Sequence, residues 1–129
     1  MDLKPGVSNI ETREDNCGNS YIMEVSPLGG GNRLSEMLKY ATGVDLITNA
    51  VKSAVGDSVI DLQEPKYTGF WAILILYSKK TGVFEKLEIN KTIQENVMET
   101  SLWVEIGSKV NAFTGASETI GTLVLRFGE

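Results

Sequence analysis

The residues best suited to chemistry lie in the first quarter of the chain. Glu24 ends an apolar stretch that begins at Tyr21, and Pro27 with Gly29, Gly30 and Gly31 then turns the chain into an amphipathic segment. A carboxylate at a strand end, beside a glycine-rich loop and a helix N-terminus, can hold a hard cation and the phosphates that cation neutralises. A second carboxylate, Glu11, belongs to the preceding strand-like stretch. Each feature alone has an ordinary reading. Glycines between a strand and a helix often serve only a tight turn, and a glutamate at a strand end is usually solvated. Their convergence on one place carries the signal.

The elements that must position these groups follow from pattern. Residues 7–13 and 20–25 read as strands, joined by the turn-forming stretch Glu14 to Asn19. Strict alternation would put Ile22 and Glu24 on one face of the second strand, and Tyr21, Met23 and Val25 on the other. In the first strand Asn9, Glu11 and Arg13 share a face. A turn centred near Cys17 and Gly18 sets Glu11 opposite Glu24, a like-charge pair that destabilises a hairpin unless a cation sits between them. Leu34, Met37, Leu38 and Ala41 have helical spacing, with Gly43 as a stop. A second helix carries Leu46, Ile47, Ala50, Val51, Ala54 and Val55, begins at Asp45 and closes at Gly56. Both helices are expected to pack on the hairpin's apolar face.

Residues 57–67 read as a connector broken by Pro65, and the pattern then turns to β. Residues 69–77 form a nearly continuous apolar strand, expected to be central or covered on both faces. Lys79 to Gly82 reads as a solvated turn, with 83–89 pairing back. Further strands are expected over 102–106, 110–113 and 120–127, separated at Gly107 and Gly115. Trp71 and Trp103 fall inside strand patterns and are expected in the core. Glu95, Glu99, Glu105 and Glu118 read as surface. The fold class is α+β: a β-hairpin with two short helices, then a small antiparallel β domain, with boundaries 1–64 and 65–129.

Composition narrows the chemistry. Histidine is absent and Cys17 is the only cysteine, which excludes serine triads, Cys-His dyads, internal disulfides, and histidine or cysteine metal cages. Oxygen ligands remain, and they suit Mg²⁺ or Mn²⁺. Cys17 has no basic neighbour nearer than Arg13 and is given no catalytic role. A net charge of −5 without a Lys/Arg run argues against nucleic-acid binding. No apolar run is long enough to span a membrane and no signal peptide is visible, so the expected setting is cytoplasmic.

On these residues the chain resembles the C-terminal part of ATP-grasp proteins, including the carboxylate–amine ligases and the biotin-carboxylase-like and carbamoyl-phosphate-synthase-like members. The likeness rests on Asn9 to Glu11, on Tyr21 to Gly31, and on the helical segment Tyr40 to Ile47. It extends more loosely to Phe113–Ser117 and Ile120–Val124. The resemblance implies that Glu11 and Glu24 hold Mg²⁺ against the phosphates of ATP, with Gly29, Gly30 and Gly31 beside the nucleotide. Ser26 stands where the family usually has a metal-binding asparagine, and it offers a shorter neutral ligand. Leu28 stands where an arginine commonly contacts the reacting group. Arg33, just beyond the glycines, is the candidate to supply that charge as a catalytic residue.

The chemistry so implied is ATP-dependent ligation: a small-molecule carboxylate takes the γ-phosphate to give an acyl phosphate, and an amine then displaces phosphate. The family's lid, its phosphate-reaching lysines and its adenine-reading hinge lie upstream of the glutamate pair. Only ten residues precede Glu11. The expectation is therefore a C-terminal fragment that works with the upstream part of its own polypeptide, is inactive alone, and forms a homodimer through the strand edges that a hairpin cut from its parent sheet exposes. The rival reading is a non-enzymatic β-rich binding or oligomerisation module with Glu11 and Glu24 as surface residues. A stand-alone regulatory fragment is a third.

Overall fold

The computed structural model describes residues 6–57 and 64–128. They divide into two compact units, one ending at Thr68 and the other starting at Gly69.

The first unit opens with strands β1 (Asn9–Glu14) and β2 (Ser20–Ser26), paired antiparallel as a two-stranded sheet. Asp15 shapes their turn. Its carboxylate accepts the backbone N–H of Cys17 at 2.8 Å, the N–H of Asn19 at 3.0 Å and the Asn19 side-chain amide at 3.0 Å. Those bonds, the Asn19 side chain first, hold the Asp15 carboxyl down at about 2. Gly18 takes the left-handed φ of 84° that completes the turn.

Helix α1 (Leu34–Thr42) ends at Gly43, whose N–H returns to the Lys39 carbonyl at 2.9 Å. Helix α2 (Leu46–Ala54) starts at Asp45, which caps it by accepting the Thr48 N–H at 2.9 Å. The return segment then satisfies the open carbonyls at the end of α1. Lys66 donates to Thr42 at 3.2 Å and Thr68 to Ala41 at 3.1 Å. Residues 58–63 of the expected connector lie outside the described residues. The helices do not cover the hairpin as expected: Ile10, Ile22 and Val25 on its apolar face are exposed, as are Val51 of α2 and Val55 just beyond it.

Asp45 also ties the two helices together. Lys39 Nζ reaches its Oδ2 at 2.6 Å, and this partner, followed by the Thr48 N–H, holds the Asp45 carboxyl at about 2 against an ordinary 3.8. The same contact raises Lys39 above its ordinary 10.5. A depressed carboxyl stabilises the fold above its unfolded pKa and loses that contribution as pH falls through the folded value. A raised ammonium stabilises below its unfolded pKa and loses it as pH climbs through the folded value. The contribution of the pair is therefore full between about pH 5 and 10 and fades toward both extremes. Thermal unfolding across pH should show that Asp45→Asn flattens the acid limb below about pH 4.

The second unit is built on a three-stranded antiparallel sheet in the order β3 (Phe70–Tyr77), β7 (Thr119–Phe127), β5 (Val97–Leu102). The long apolar strand β3 is at the edge, and β7 is central. Residues 121–125 of β7 are buried in succession, Thr122, Leu123 and Val124 almost completely. Short strands β4 (Gly82–Val83) and β6 (Lys109–Val110) pair with each other. The expected back-pairing of 83–89 onto β3 is therefore not made. Most of the expected strand at 102–106 falls outside β5, and only Leu102 of it belongs to a strand. Helix α3 (Lys91–Gln94) is a single turn capped by Asn90. Trp103 is exposed rather than in the core, and Trp71 is half-buried with the Arg126 guanidinium 5.7 Å from its ring centre. No described helix is long and apolar enough to cross a membrane.

Candidate metal and phosphate site

The site depends on one irregularity in the hairpin. Near the turn Arg13 pairs with Tyr21 and Thr12 with Ile22, whereas Glu11 pairs with Glu24. Met23 is the extra residue of a β-bulge. Directly paired residues of an antiparallel sheet share a face. Asn9, Glu11, Arg13, Tyr21, Glu24 and Ser26 thus form one face, and Ile10, Thr12, Glu14, Ser20, Ile22 and Val25 the other. The strict alternation that grouped Ile22 with Glu24, and Tyr21 with Val25, is corrected by this bulge. Without the extra residue Glu24 would fall on the apolar face, opposite Ile10. Bulges that re-aim a side chain recur beside functional sites.

The two carboxylates are direct cross-strand neighbours, and both residues are exposed. Among the described residues no group of three or more Asp, Glu, Cys or His gathers to hold a metal. The anionic part of this donor set is the glutamate pair. Ser26 lies on the same face, and its hydroxyl donates to Glu24 Oε1. Arg13 adds a positive charge one step along the face. Two carboxylate ligands and a hydroxyl are an all-oxygen set, which fits Mg²⁺. That ion ordinarily keeps several waters and takes its remaining ligands from substrate phosphates.

The three glycines differ in what the fold asks of them. A Cβ on Gly29 would collide with the Ser35 hydroxyl, which donates to the Gly29 carbonyl at 3.0 Å. Gly30 has φ 86°, and a Cβ there would lie 2.8 Å from Leu34 Cδ2. Gly31 is exposed, and a Cβ would meet nothing within 4 Å. Urea unfolding should show Gly30→Ala costing about 1–2 kcal/mol, the usual penalty of a left-handed non-glycine residue, and Gly31→Ala within about 0.5 kcal/mol of the parent.

Asn32 and Arg33 follow with φ of 52° and 64°, an uncommon pair of left-handed non-glycine residues. Arg33 stands at the N-cap of α1 without a side-chain cap. Its Nε donates to Glu36 Oε1 at 3.3 Å. The guanidinium is thereby held at the start of the helix that follows the glycines. A cavity of about 630 Å³ opens elsewhere in the first unit, beside Thr42, Asp45, Asn49, Lys52 and Lys66. None of the candidate residues lines it.

No protein-family model matches this chain. No curated protein matches it in sequence either. Solved structures do match in fold. Phosphoribosylglycinamide synthetase from Anaerococcus prevotii superposes with a TM-score of 0.74 at 16% identity, over 95% of this chain and 32% of that one. L-amino acid ligase from Bacillus licheniformis gives a TM-score of 0.74 at 20% identity, over 96% of this chain and 31% of that one. The chain thus has a fold found within these two proteins and spans about a third of the length of each.

Proposed function

We propose that this chain is the C-terminal portion of an ATP- and Mg²⁺-dependent ligase that joins a small-molecule carboxylate to an amine through an acyl phosphate. It acts in the cytoplasm, with the upstream part of its own polypeptide. The observation that carries this reading is the direct pairing of Glu11 with Glu24 on the polar face of a bulged hairpin. Its fold likeness to two ligases supports it.

In this reading Glu11 and Glu24 hold the cation, and their mutual repulsion is relieved only when it is bound. Ser26, by donating to Glu24, orients that carboxylate and leaves the second oxygen for the metal. Gly31 lets backbone N–H groups approach the phosphates, since its missing side chain answers no packing need. Arg33, braced by Glu36, supplies the positive charge that Leu28 cannot. Mg²⁺, when bound, neutralises the phosphate charge that grows during phosphoryl transfer.

The test is a Mn²⁺ titration of the chain followed by water-proton relaxation. Binding on the order of millimolar is expected for two carboxylates without a full cage. Equal binding by Glu24→Gln would remove the metal assignment and leave the β-rich binding module as the better reading.

A further inference from the structure

The strand edges of this protein are not equally protected. β1 carries Glu11, Arg13 and Glu14, β2 carries Glu24, and β5 carries Glu99. β4 and β6 are two residues each. β3 differs from all of them. It is eight residues long, Phe70 to Tyr77, with no charge, proline or glycine, and it lies at the edge of its sheet with β7 as its partner strand. Phe70 is 68%, Leu74 46% and Tyr77 49% exposed. A long, uncharged, apolar edge is a template for another strand, and natural edges are usually blunted by charge, proline or shortness.

We propose that the outer edge of β3 pairs antiparallel with β3 of a second copy, joining two three-stranded sheets into one of six strands. Charge selects that occupant. The chain carries −5, and its hairpin edges bear Glu11, Glu14 and Glu24, so pairing there sets acidic residues of two copies near each other. Within residues 70–77 no register places like charges opposite. A two-fold axis normal to the sheet matches residues of one face to the same face of the partner copy, so the surface is complementary to itself.

The assembly also closes. The opposite edge of the sheet, β5, carries Glu99, so among the described residues each copy offers one unguarded edge and growth stops at two. Past Tyr77 the strand turns to another partner: the Ser78 carbonyl accepts the Phe113 N–H at 2.8 Å, and the Tyr77 and Phe113 rings meet at 4.8 Å. That switch of partner confines pairing to the apolar strand. The inference does not depend on the ligase reading.

Light scattering after size exclusion should give the chain twice its 14.1 kDa mass. Leu74→Lys puts a charge at an exposed position in the middle of the edge and should weaken the dimer about tenfold or more. Val51→Lys, the same charge change on an exposed position of α2, should leave it unaltered. In the proposed pairing Leu74, mid-strand, lies on the two-fold axis and faces its own counterpart, so Leu74→Cys in a Cys17→Ser background should form an intermolecular disulfide on oxidation, since residues facing each other across the axis lie within bridging distance. Ile47→Cys in that background should not. If Leu74→Lys fails to fold, the cross-link alone decides. A monomeric parent, a dimer indifferent to Leu74→Lys, or equal cross-linking at Ile47→Cys would each overturn the proposal.

Discussion

Gly121→Ala destabilises the second unit by about 3 kcal/mol or more, one of the largest single-residue effects expected in this protein. Gly121 sits in the central strand β7, opposite Leu102 of β5 and Leu76 of β3. A methyl group built there would fall well inside contact distance of the Ser101 carbonyl oxygen and 3.1 Å from Leu102 Cα. Both obstacles are backbone, so no side-chain rotation relieves the clash and β5 must move away from β7. Leu123 and Val124, among the most buried residues of the core, lie two and three residues along the same strand and would lose cover. A unit of roughly 60 residues has a stability of only about 3–9 kcal/mol. Both tryptophans, Trp71 and Trp103, belong to this unit, so their fluorescence reports its unfolding directly. An unchanged urea midpoint would mean that β5 does not lie against Gly121.

Glu24→Gln should act in two opposite directions, and the opposition separates the metal reading from its rival. Without divalent cations the variant hairpin gains about 0.2–1 kcal/mol, because a direct cross-strand like-charge pair is removed. With Mn²⁺ present the order reverses, since the parent gains binding free energy that the variant cannot. In an ATP-consuming polypeptide that carries this segment, turnover should fall about a hundredfold or more. Loss of a partner outside the metal's own ligands already costs about 10–100-fold. Thermal melts with and without Mn²⁺, together with turnover, supply the readouts. A surface glutamate without a cation would show the first effect and neither of the others. Full turnover in Glu24→Gln would remove Glu24 from the site.

Much of the first unit is legible in the residues because its determinants are local. The capping of α2 by Asp45, the left-handed stop at Gly43 and the Asp15 turn each act over a few positions, and the helices lie where 3.6-residue spacing places them. The glutamate pair was legible too, by a route the structure alters. A turn centred between Cys17 and Gly18 gives Glu11 opposite Glu24 with regular alternation. The actual ladder near the turn is one residue out of step with that, and the bulge at Met23 restores the pairing while moving Ile22 to the other face. Nothing in the local sequence marks a bulge, because it is decided by which register the whole ladder adopts.

The second unit was less legible for the same reason. An unbroken apolar run such as Phe70–Tyr77 satisfies a central strand or an edge that waits for a partner, and periodicity cannot distinguish them. β7 contains Gly121 and Thr122, which weaken its apolar pattern, yet it is the strand with partners on both sides. By itself the sequence determined that histidine and a cysteine cage could take no part in any chemistry here, and it determined the caps, the turns and the candidate carboxylates, since these follow from residue type and near neighbours. Strand order, the bulge that puts Glu24 on the polar face, and the unguarded edge of β3 were decided only by tertiary structure. Each depends on hydrogen bonds between strands, whose choice of partner is settled by the packing of the whole sheet rather than by any one segment.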